Sequence, residues 1–333
     1  MIEHLFLPQL DLATLDLLPA HRGWLQEWLQ SIERALEDGN IASSICLQGM
    51  MAEIVLYGEL RYDWRALFAA YLTDEAGNPL AYSERYGKRL YHFGAQWKQT
   101  PVYALHTRFW ASRVYDPAAP VKPYYGQLLK SWIQPNGWIY NRDVSYTRLR
   151  TRMKSEYTMS FALALEMLAA ADALAALTPR FTATAANEPP MPYLSAEYFR
   201  LRALEQLGKA HLVPNTISEV LHICEAGKGY CDFAVSSKVD DYMGSAKRVE
   251  RDEAVHSPLA ALHAAYLARV CDAATQEAVK ARLASFRRHL KEHPLDIPAF
   301  RIRDVVYPFG TDSSPLEVLA AAAIIQGLTG ISQ

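Results

Sequence analysis

Hydrophobic residues recur mainly with helical spacing along this chain. From Trp24 to Leu36 they repeat at intervals of three and four, and this run ends near Gly39. The same spacing predicts helices over 41–57, 63–72, 81–97, 102–114, 124–133, about 146–177, 195–207, 218–225, about 245–270, 275–292 and 315–327. A single stretch, 305–307, suggests a short strand. We therefore expect a mainly α protein, either an irregular helical bundle or stacked or toroidal helical hairpins, with little or no sheet.

One segment interrupts the helical pattern. Residues 178–193 contain four prolines and show no hydrophobic periodicity. This composition is typical of a linker or a long surface loop. The sequence therefore predicts an N-terminal helical region over 1–177 and a C-terminal helical region over 194–333.

Helix-start signals recur along the chain. Ser160, Ser257 and Ser314 each begin a short apolar stretch, and proline follows the last two serines, as expected at a first helical position. The stretches 216–219 and 314–317 fit the capping box, in which a hydroxyl and a carboxylate bind backbone amides at a helix start. We interpret the similarity as repeated helix-start chemistry before core helices. True structural repeats are the alternative, and they would favour a ring or stack of helical hairpins.

Composition narrows the class of protein. Of the 333 residues, 50% are hydrophobic and 21% are charged, as in a folded globular protein. The first residues lack the pattern of a signal peptide, and four cysteines are too few for a disulfide scaffold. The most apolar stretch, 161–177, is interrupted by Glu166 and Asp172 and is shorter than a bilayer-spanning helix. We expect a cytoplasmic protein that does not contact a membrane.

Charge is distributed unevenly. Residues 76–154 contain thirteen Lys or Arg against three Asp or Glu, a net charge of +10 in a chain whose net charge is −2. Fifteen aromatic residues lie in the same window. We call residues 77–154 the basic aromatic belt. Positive charge interleaved with flat rings suits an extended polyanion whose bases or sugars can stack.

Within the belt, basic residues are densest near its end. On a helix, Arg148 and Arg152 share one face, while Arg150 and Lys154 share another. Such clustered like charges need an anion, and the planar guanidinium group suits phosphate. Pairing with residues 1–75, whose net charge is −8, or simple solvation is the alternative.

The first functional hypothesis is a helical protein that binds nucleic acid, single-stranded DNA or RNA, or another polyanion, without a cofactor. We expect it to act in a larger assembly with protein partners. The candidate polyanion-binding residues are Arg142, Arg148, Arg150, Arg152, Lys154, Lys247 and Arg248, and the candidate stacking rings are Trp138 and Tyr140.

The second hypothesis is catalytic. The string from Arg251 to His256 resembles the Arg-x4-His signature of HEPN-type ribonucleases, which are all-α and metal-independent. The resemblance implies that His256 acts as an acid or base on the ribose 2′-hydroxyl while Arg251 stabilises charge on the phosphorus centre. It covers six residues. The alternative for this pair is a salt-bridged, capped helix junction.

Other motifs exclude or weaken further classes. His222, Cys224 and Cys231 lack a fourth ligand at zinc-site spacing, so we interpret the cysteines as buried thiols and expect no metal site. No phosphate-binding P-loop, dinucleotide-binding or nucleophile-elbow motif is present. A third hypothesis remains, a helical-toroid enzyme acting on a glycan or isoprenoid, with Asp240, Asp241 and His256 as candidate residues.

Overall fold

The computed structural model describes residues 10–37, 43–64, 194–206, 208–212, 214–232, 256–297 and 315–331. Within these ranges the chain forms seven α-helices and a single two-stranded hairpin. The helices are α1 (Pro19–Glu37), α2 (Ser43–Tyr57), α3 (Leu194–Gln206), α4 (Pro214–Ile223), α5 (Pro258–Ala268), α6 (Ala273–Glu292) and α7 (Pro315–Gln326). The expectation of a mainly α fold is confirmed. The predicted linker, 178–193, and the short strand, 305–307, lie outside these ranges.

The hairpin and α4 differ from the sequence prediction. Helix α4 begins at Pro214 instead of 218, so Thr216 lies inside the helix and the capping box predicted over 216–219 is wrong. Proline suits a first helical position because its fixed φ already matches the helix. The predicted helical end at Glu225 is also wrong, because that residue begins a strand.

The hairpin consists of β1 (Glu225–Ala226) and β2 (Gly229–Tyr230), paired antiparallel. Gly227 adopts a φ of 47° between the strands, in the left-handed region that glycine enters without a steric cost. Gly229 packs so closely on Phe286 of α6 that an added Cβ would lie 3.0 Å from the ring. The hairpin is therefore fixed against α6.

The start of α5 also corrects the sequence prediction. The prediction placed one helix over about 245–270, but Ser257 is extended, with φ −116° and ψ 122°, and the helix starts at Pro258. The Ser257 hydroxyl accepts a hydrogen bond from the Ala260 amide at 3.0 Å, so Ser257 is the N-cap. The position directly before this cap, His256, is thereby held outside the helix.

Helices α5 and α7 form the centre of the core. Ten of the eleven residues of α5 and ten of the twelve residues of α7 are buried, and most of them are alanine or leucine. The two helices pack against each other, and small side chains allow their backbones to approach closely. Helix α7 also packs against α1 and α2, so both ends of the chain contribute to one apolar cluster.

A buried carboxylate joins the starts of these two helices. Glu317, in the first turn of α7, accepts hydrogen bonds from the Ser257 hydroxyl at 2.6 Å and from the Leu259 amide at 2.9 Å. Its carboxylate therefore supports the start of α5, a role that the predicted capping box over 314–317 did not include. Ser314 itself lies outside the described residues.

Among the helices that the structure describes, none has the length and apolar character required to cross a membrane.

Candidate functional site

All nine candidate residues of the first hypothesis lie outside the described part of the chain. These are Arg142, Arg148, Arg150, Arg152, Lys154, Lys247 and Arg248, together with Trp138 and Tyr140. Arg251, Asp240 and Asp241 also lie outside it. His256 is the one residue of the second hypothesis that can be placed, and it lies in a cluster of polar side chains.

His256 is held in an aromatic and acidic environment. Its ring meets Phe286 edge to face, with the ring centroids 4.9 Å apart, and meets His289 in the same way at 5.5 Å. Its Nε2 atom is buried and has no hydrogen-bond partner, since Asp296 Oδ2 lies 3.6 Å away, beyond hydrogen-bonding range. The side chain as a whole is 17% exposed. His256 therefore directs an unsatisfied nitrogen towards the carboxylate.

His289 lies between a cation and an anion. On one side, its Nε2 atom forms a short hydrogen bond with the carboxylate of Asp296. On the other side, its Nδ1 atom lies 3.1 Å from the ammonium group of Lys228, in the turn of the hairpin. An ammonium group can only donate, so Nδ1 accepts and Nε2 carries the proton that is donated to Asp296.

The environment sets the protonation of the cluster. Burial lowers the pKa of His256, an effect that Asp296 partly opposes. Burial raises the pKa of Asp296, but the hydrogen bond from His289 and the nearby histidines outweigh it, so this pKa is lowered overall. Near neutral pH the site therefore presents an uncharged His256 imidazole and a carboxylate at Asp296, the forms in which both groups act as ligands or bases.

The cluster has the composition of a metal-binding site. One ligand atom from each of His256, His289 and Asp296 lies within 4.8 Å of the other two. A third histidine, His293, is close, with its ring centroid 5.0 Å from that of His289. Imidazole and carboxylate groups suit divalent transition metals. We call His256, His289 and Asp296 the His–Asp cluster.

A second candidate site is a cavity between α6 and α7. Basic and apolar residues from α6, α7 and the residues after α7 surround an open cavity of about 470 Å³. Its lining includes four basic residues of α6: Lys280, Arg287, Arg288 and Lys291. We call this surface the basic groove. Leu283 and Ile324 contribute to its apolar lining.

The basic residues of the groove differ in their partners. Lys280 forms an ion pair with Glu277 at 2.9 Å, and Arg287 Nε donates to the Ile325 carbonyl at 2.8 Å. Within the ranges that the structure describes, no carboxylate lies within 4.0 Å of Arg287, Arg288 or Lys291. A hydrogen bond to the backbone therefore fixes Arg287 in position, while no carboxylate among the described residues neutralises its charge.

The cysteines behave as the sequence predicted. Cys224 and Cys231 are buried, with 0% and 2% exposure, and burial raises the pKa of the Cys224 thiol well above its usual range. His222 is 73% exposed at its side chain and lies 3.9 Å from Glu225. The interpretation of Cys224 and Cys231 as buried thiols is confirmed.

The sequence singled out His256 but predicted neither the His–Asp cluster nor the basic groove. The signal for the His–Asp cluster was the pair His289 and His293, four apart at the end of a predicted helix, followed by Asp296. The signal for the groove was the run of Arg287, Arg288 and Lys291 on the same helix. Neither pattern reveals that His256, which is distant in sequence, completes the cluster.

Comparisons of this chain with protein-family models, with curated proteins and with solved structures found no match.

Proposed function

We propose that this protein binds a polyanion, with single-stranded nucleic acid as the expected class. The observation that carries the proposal is the basic groove, where Arg287, Arg288 and Lys291 have no carboxylate partner among the described residues. Three neighbouring cations repel one another, and an anionic ligand removes that repulsion. Guanidinium groups also match phosphate oxygens in a planar, two-pronged geometry.

The basic aromatic belt supports the same function from the sequence. Its net charge of +10 within a chain of net charge −2 indicates a strongly positive region, and its aromatic residues supply stacking surfaces. The groove adds positions outside the belt at which a phosphate backbone can be held. In this proposal Trp138 and Tyr140 contact bases, whereas Arg148, Arg150, Arg152, Lys154 and the groove contact phosphates.

Salt dependence tests the proposal directly. Fluorescence anisotropy with labelled single-stranded DNA and RNA should show that the logarithm of the binding constant falls linearly with the logarithm of the salt concentration. The slope should be about −0.7 for each phosphate that the protein neutralises. Reversing Arg288 and Lys291 to Glu should weaken binding to all sequences alike and reduce that slope by about one to two. Reversing Arg148 and Arg152 in the belt should have the same kind of effect.

A charge reversal away from the groove, compared with Arg288→Glu alone, separates local contact from net charge. Arg61 is exposed, and its nearest acidic partner, Glu59, is 3.8 Å away. Arg61→Glu changes the net charge by two but alters neither the groove nor the belt, so the salt slope should stay as in the wild type. Absence of salt-sensitive binding to DNA and RNA in the intact protein, with and without its natural partners, would overturn the proposal.

Metal-independent RNA cleavage is the second candidate, and the state of His256 favours it. Because burial lowers its pKa, His256 is largely unprotonated near neutral pH, as a general base requires. His256→Ala and Arg251→Ala should each abolish cleavage, measured on single-stranded RNA in the presence of EDTA, while thermal unfolding stays cooperative. No cleavage by the wild type under these conditions would leave His256 without a catalytic role.

A further inference from the structure

We propose that His256, His289 and Asp296 bind one divalent transition-metal ion, with Zn²⁺ as the expected ion. This site is independent of polyanion binding, because it involves none of the residues assigned to the belt or the groove, but it is an alternative to metal-independent cleavage, because His256 cannot be a metal ligand and a general base through the same nitrogen. It supplies two imidazole nitrogens and one carboxylate oxygen, a common set of three protein ligands that leaves a coordination position for water.

The unsatisfied nitrogen of His256 is the first argument for the site. A buried imidazole nitrogen without a hydrogen bond is unfavourable, and such an atom in a native protein calls for a physical explanation. The Nε2 atom of His256 lies 3.6 Å from Asp296 Oδ2. A metal ion coordinated by both atoms satisfies the nitrogen and brings the carboxylate closer.

Distances are the second argument. In tetrahedral zinc sites, ligand atoms about 2.0–2.1 Å from the ion lie about 3.3 Å from one another. The three ligand atoms of the cluster all lie within 4.8 Å of one another, so small side-chain shifts suffice: the more distant atoms move closer, and His289 Nε2 and the Asp296 oxygen, which share a short hydrogen bond, move apart. Asp296 is 47% exposed and lies beyond the end of α6, where its side chain has room to adjust.

The scaffold that carries the three ligands is rigid. His256 precedes the N-cap of α5, and His289 lies in the last turn of α6. The connection that carries Asp296 is held against α1 by a hydrogen bond. The Nε2 atom of the buried His21 in α1 lies 2.9 Å from the Pro294 carbonyl oxygen. A fixed scaffold reduces the ordering cost of metal binding.

Lys228 competes with the metal in this arrangement. Its ammonium group donates to His289 Nδ1 and thereby keeps the proton on Nε2, the atom that must lose its proton to coordinate an ion. Lys228 is exposed in the hairpin turn, so its side chain can move away when metal binds. Replacing Lys228 should therefore raise the affinity for the metal ion. A cluster that only forms structural hydrogen bonds would show no such increase.

Calorimetric titration of the full-length, EDTA-stripped protein with Zn²⁺ tests the site. We expect one ion per chain. Asp296→Asn and His256→Gln should each weaken binding by at least about tenfold, the lower end of losses seen for altered metal sites. Lys228→Ala should tighten binding. His222→Gln, at an exposed histidine, and Lys280→Ala, at a paired lysine, are the matched controls and should bind as the wild type does.

Cobalt substitution identifies the ligands. Co²⁺ bound to nitrogen and oxygen gives weak visible bands without a thiolate charge-transfer band, and the visible bands should disappear in Asp296→Asn. If His256→Gln fails to fold, Asp296→Asn and Lys228→Ala still decide the outcome, because both residues lie at accessible positions. Absence of saturable binding, equal loss in His222→Gln, unchanged affinity in Lys228→Ala or a thiolate band from Cys224 or Cys231 would each overturn the proposal.

Discussion

Helices α6 and α7 are neighbours that differ in almost every respect. Helix α7 is buried over ten consecutive residues, and its one charged side chain, Glu317, is turned inwards. Helix α6 buries Val279, Leu283, Phe286 and Leu290 at helical spacing and exposes charged residues on its other faces. Both proposed sites involve α6, whereas α7 contributes apolar packing and a helix-supporting carboxylate.

The residues that stabilise the fold and the residues that bind ligands are therefore different residues at the interface of α6 and α7. An amphipathic helix presents a stripe to the core and retains other faces for solvent or ligands, so neighbouring positions can have unrelated roles. Phe286 faces the core, Arg288 faces the solvent, and His289 faces the His–Asp cluster. A helix that is buried all round has no such free face.

The largest expected effect tests this separation within α6. Phe286 is fully buried, so Phe286→Ala should lower the free energy of unfolding by about 3–5 kcal/mol. Arg288→Ala, two positions away and exposed, should change it by less than about 0.5 kcal/mol and should still weaken polyanion binding. Urea unfolding and anisotropy measure the two quantities. A comparable stability loss in both variants would show that the two faces are not separate.

The next effect concerns the charge inside α7. Burial raises the pKa of Glu317 to about 7, although the hydrogen bonds from Ser257 and Leu259 act in the opposite direction. The Glu317 carboxyl then binds its proton more tightly in the folded state than in the unfolded state. Its contribution to the free energy of unfolding is therefore complete below about pH 4.5 and is lost as pH rises through 7. The loss amounts to about 3 kcal/mol at most.

Denaturation of wild type and Glu317→Gln between pH 4.5 and 8 measures that contribution. The wild type should lose stability relative to the variant as pH rises, since glutamine does not ionise. Glu277→Gln, at an exposed glutamate of α6, is the matched control and should leave the pH dependence unchanged. Parallel curves for wild type and Glu317→Gln would show that Glu317 ionises at its ordinary pH.

The smallest effect concerns the small residues of α7. Ala321 is fully buried within the core cluster, so Ala321→Leu should overpack the core and cost about 1–3 kcal/mol. Ala278→Leu on the exposed side of α6 is the control and should be nearly neutral, because leucine forms helices almost as well as alanine. Equal effects of the two substitutions would contradict the difference in packing between these helices.

Local patterns in the sequence predicted several helices closely. Helix α7 was expected over 315–327 and spans Pro315–Gln326, and α6 was expected over 275–292 and spans Ala273–Glu292. Both predictions depended on hydrophobic spacing, and that of α7 also on the start signal at 314–317; such patterns are local to each helix. The hairpin at Glu225–Tyr230 was missed because strands of two residues are too short to show an alternating pattern.

The candidate sites depend on contacts that no local pattern encodes. His256 and Asp296 are 40 residues apart, and they meet because the His256 ring packs on Phe286 of α6, the helix that Asp296 follows. Glu317 was recognised as a helix-start residue, but its partners proved to be Ser257 and Leu259. Sequence spacing identifies residues with the right chemistry, while tertiary packing decides which of them meet.

The link between Glu317 and the start of α5 has a consequence for synthesis of the chain on the ribosome. The hydrogen bond from Ser257 to Glu317 spans 60 residues. As the polypeptide emerges, α5 is complete long before the carboxylate that supports its first turn has been made. We expect the first turn of α5 to be fully supported only after α7 has left the exit tunnel, so that the packing between α5 and α7 is completed late.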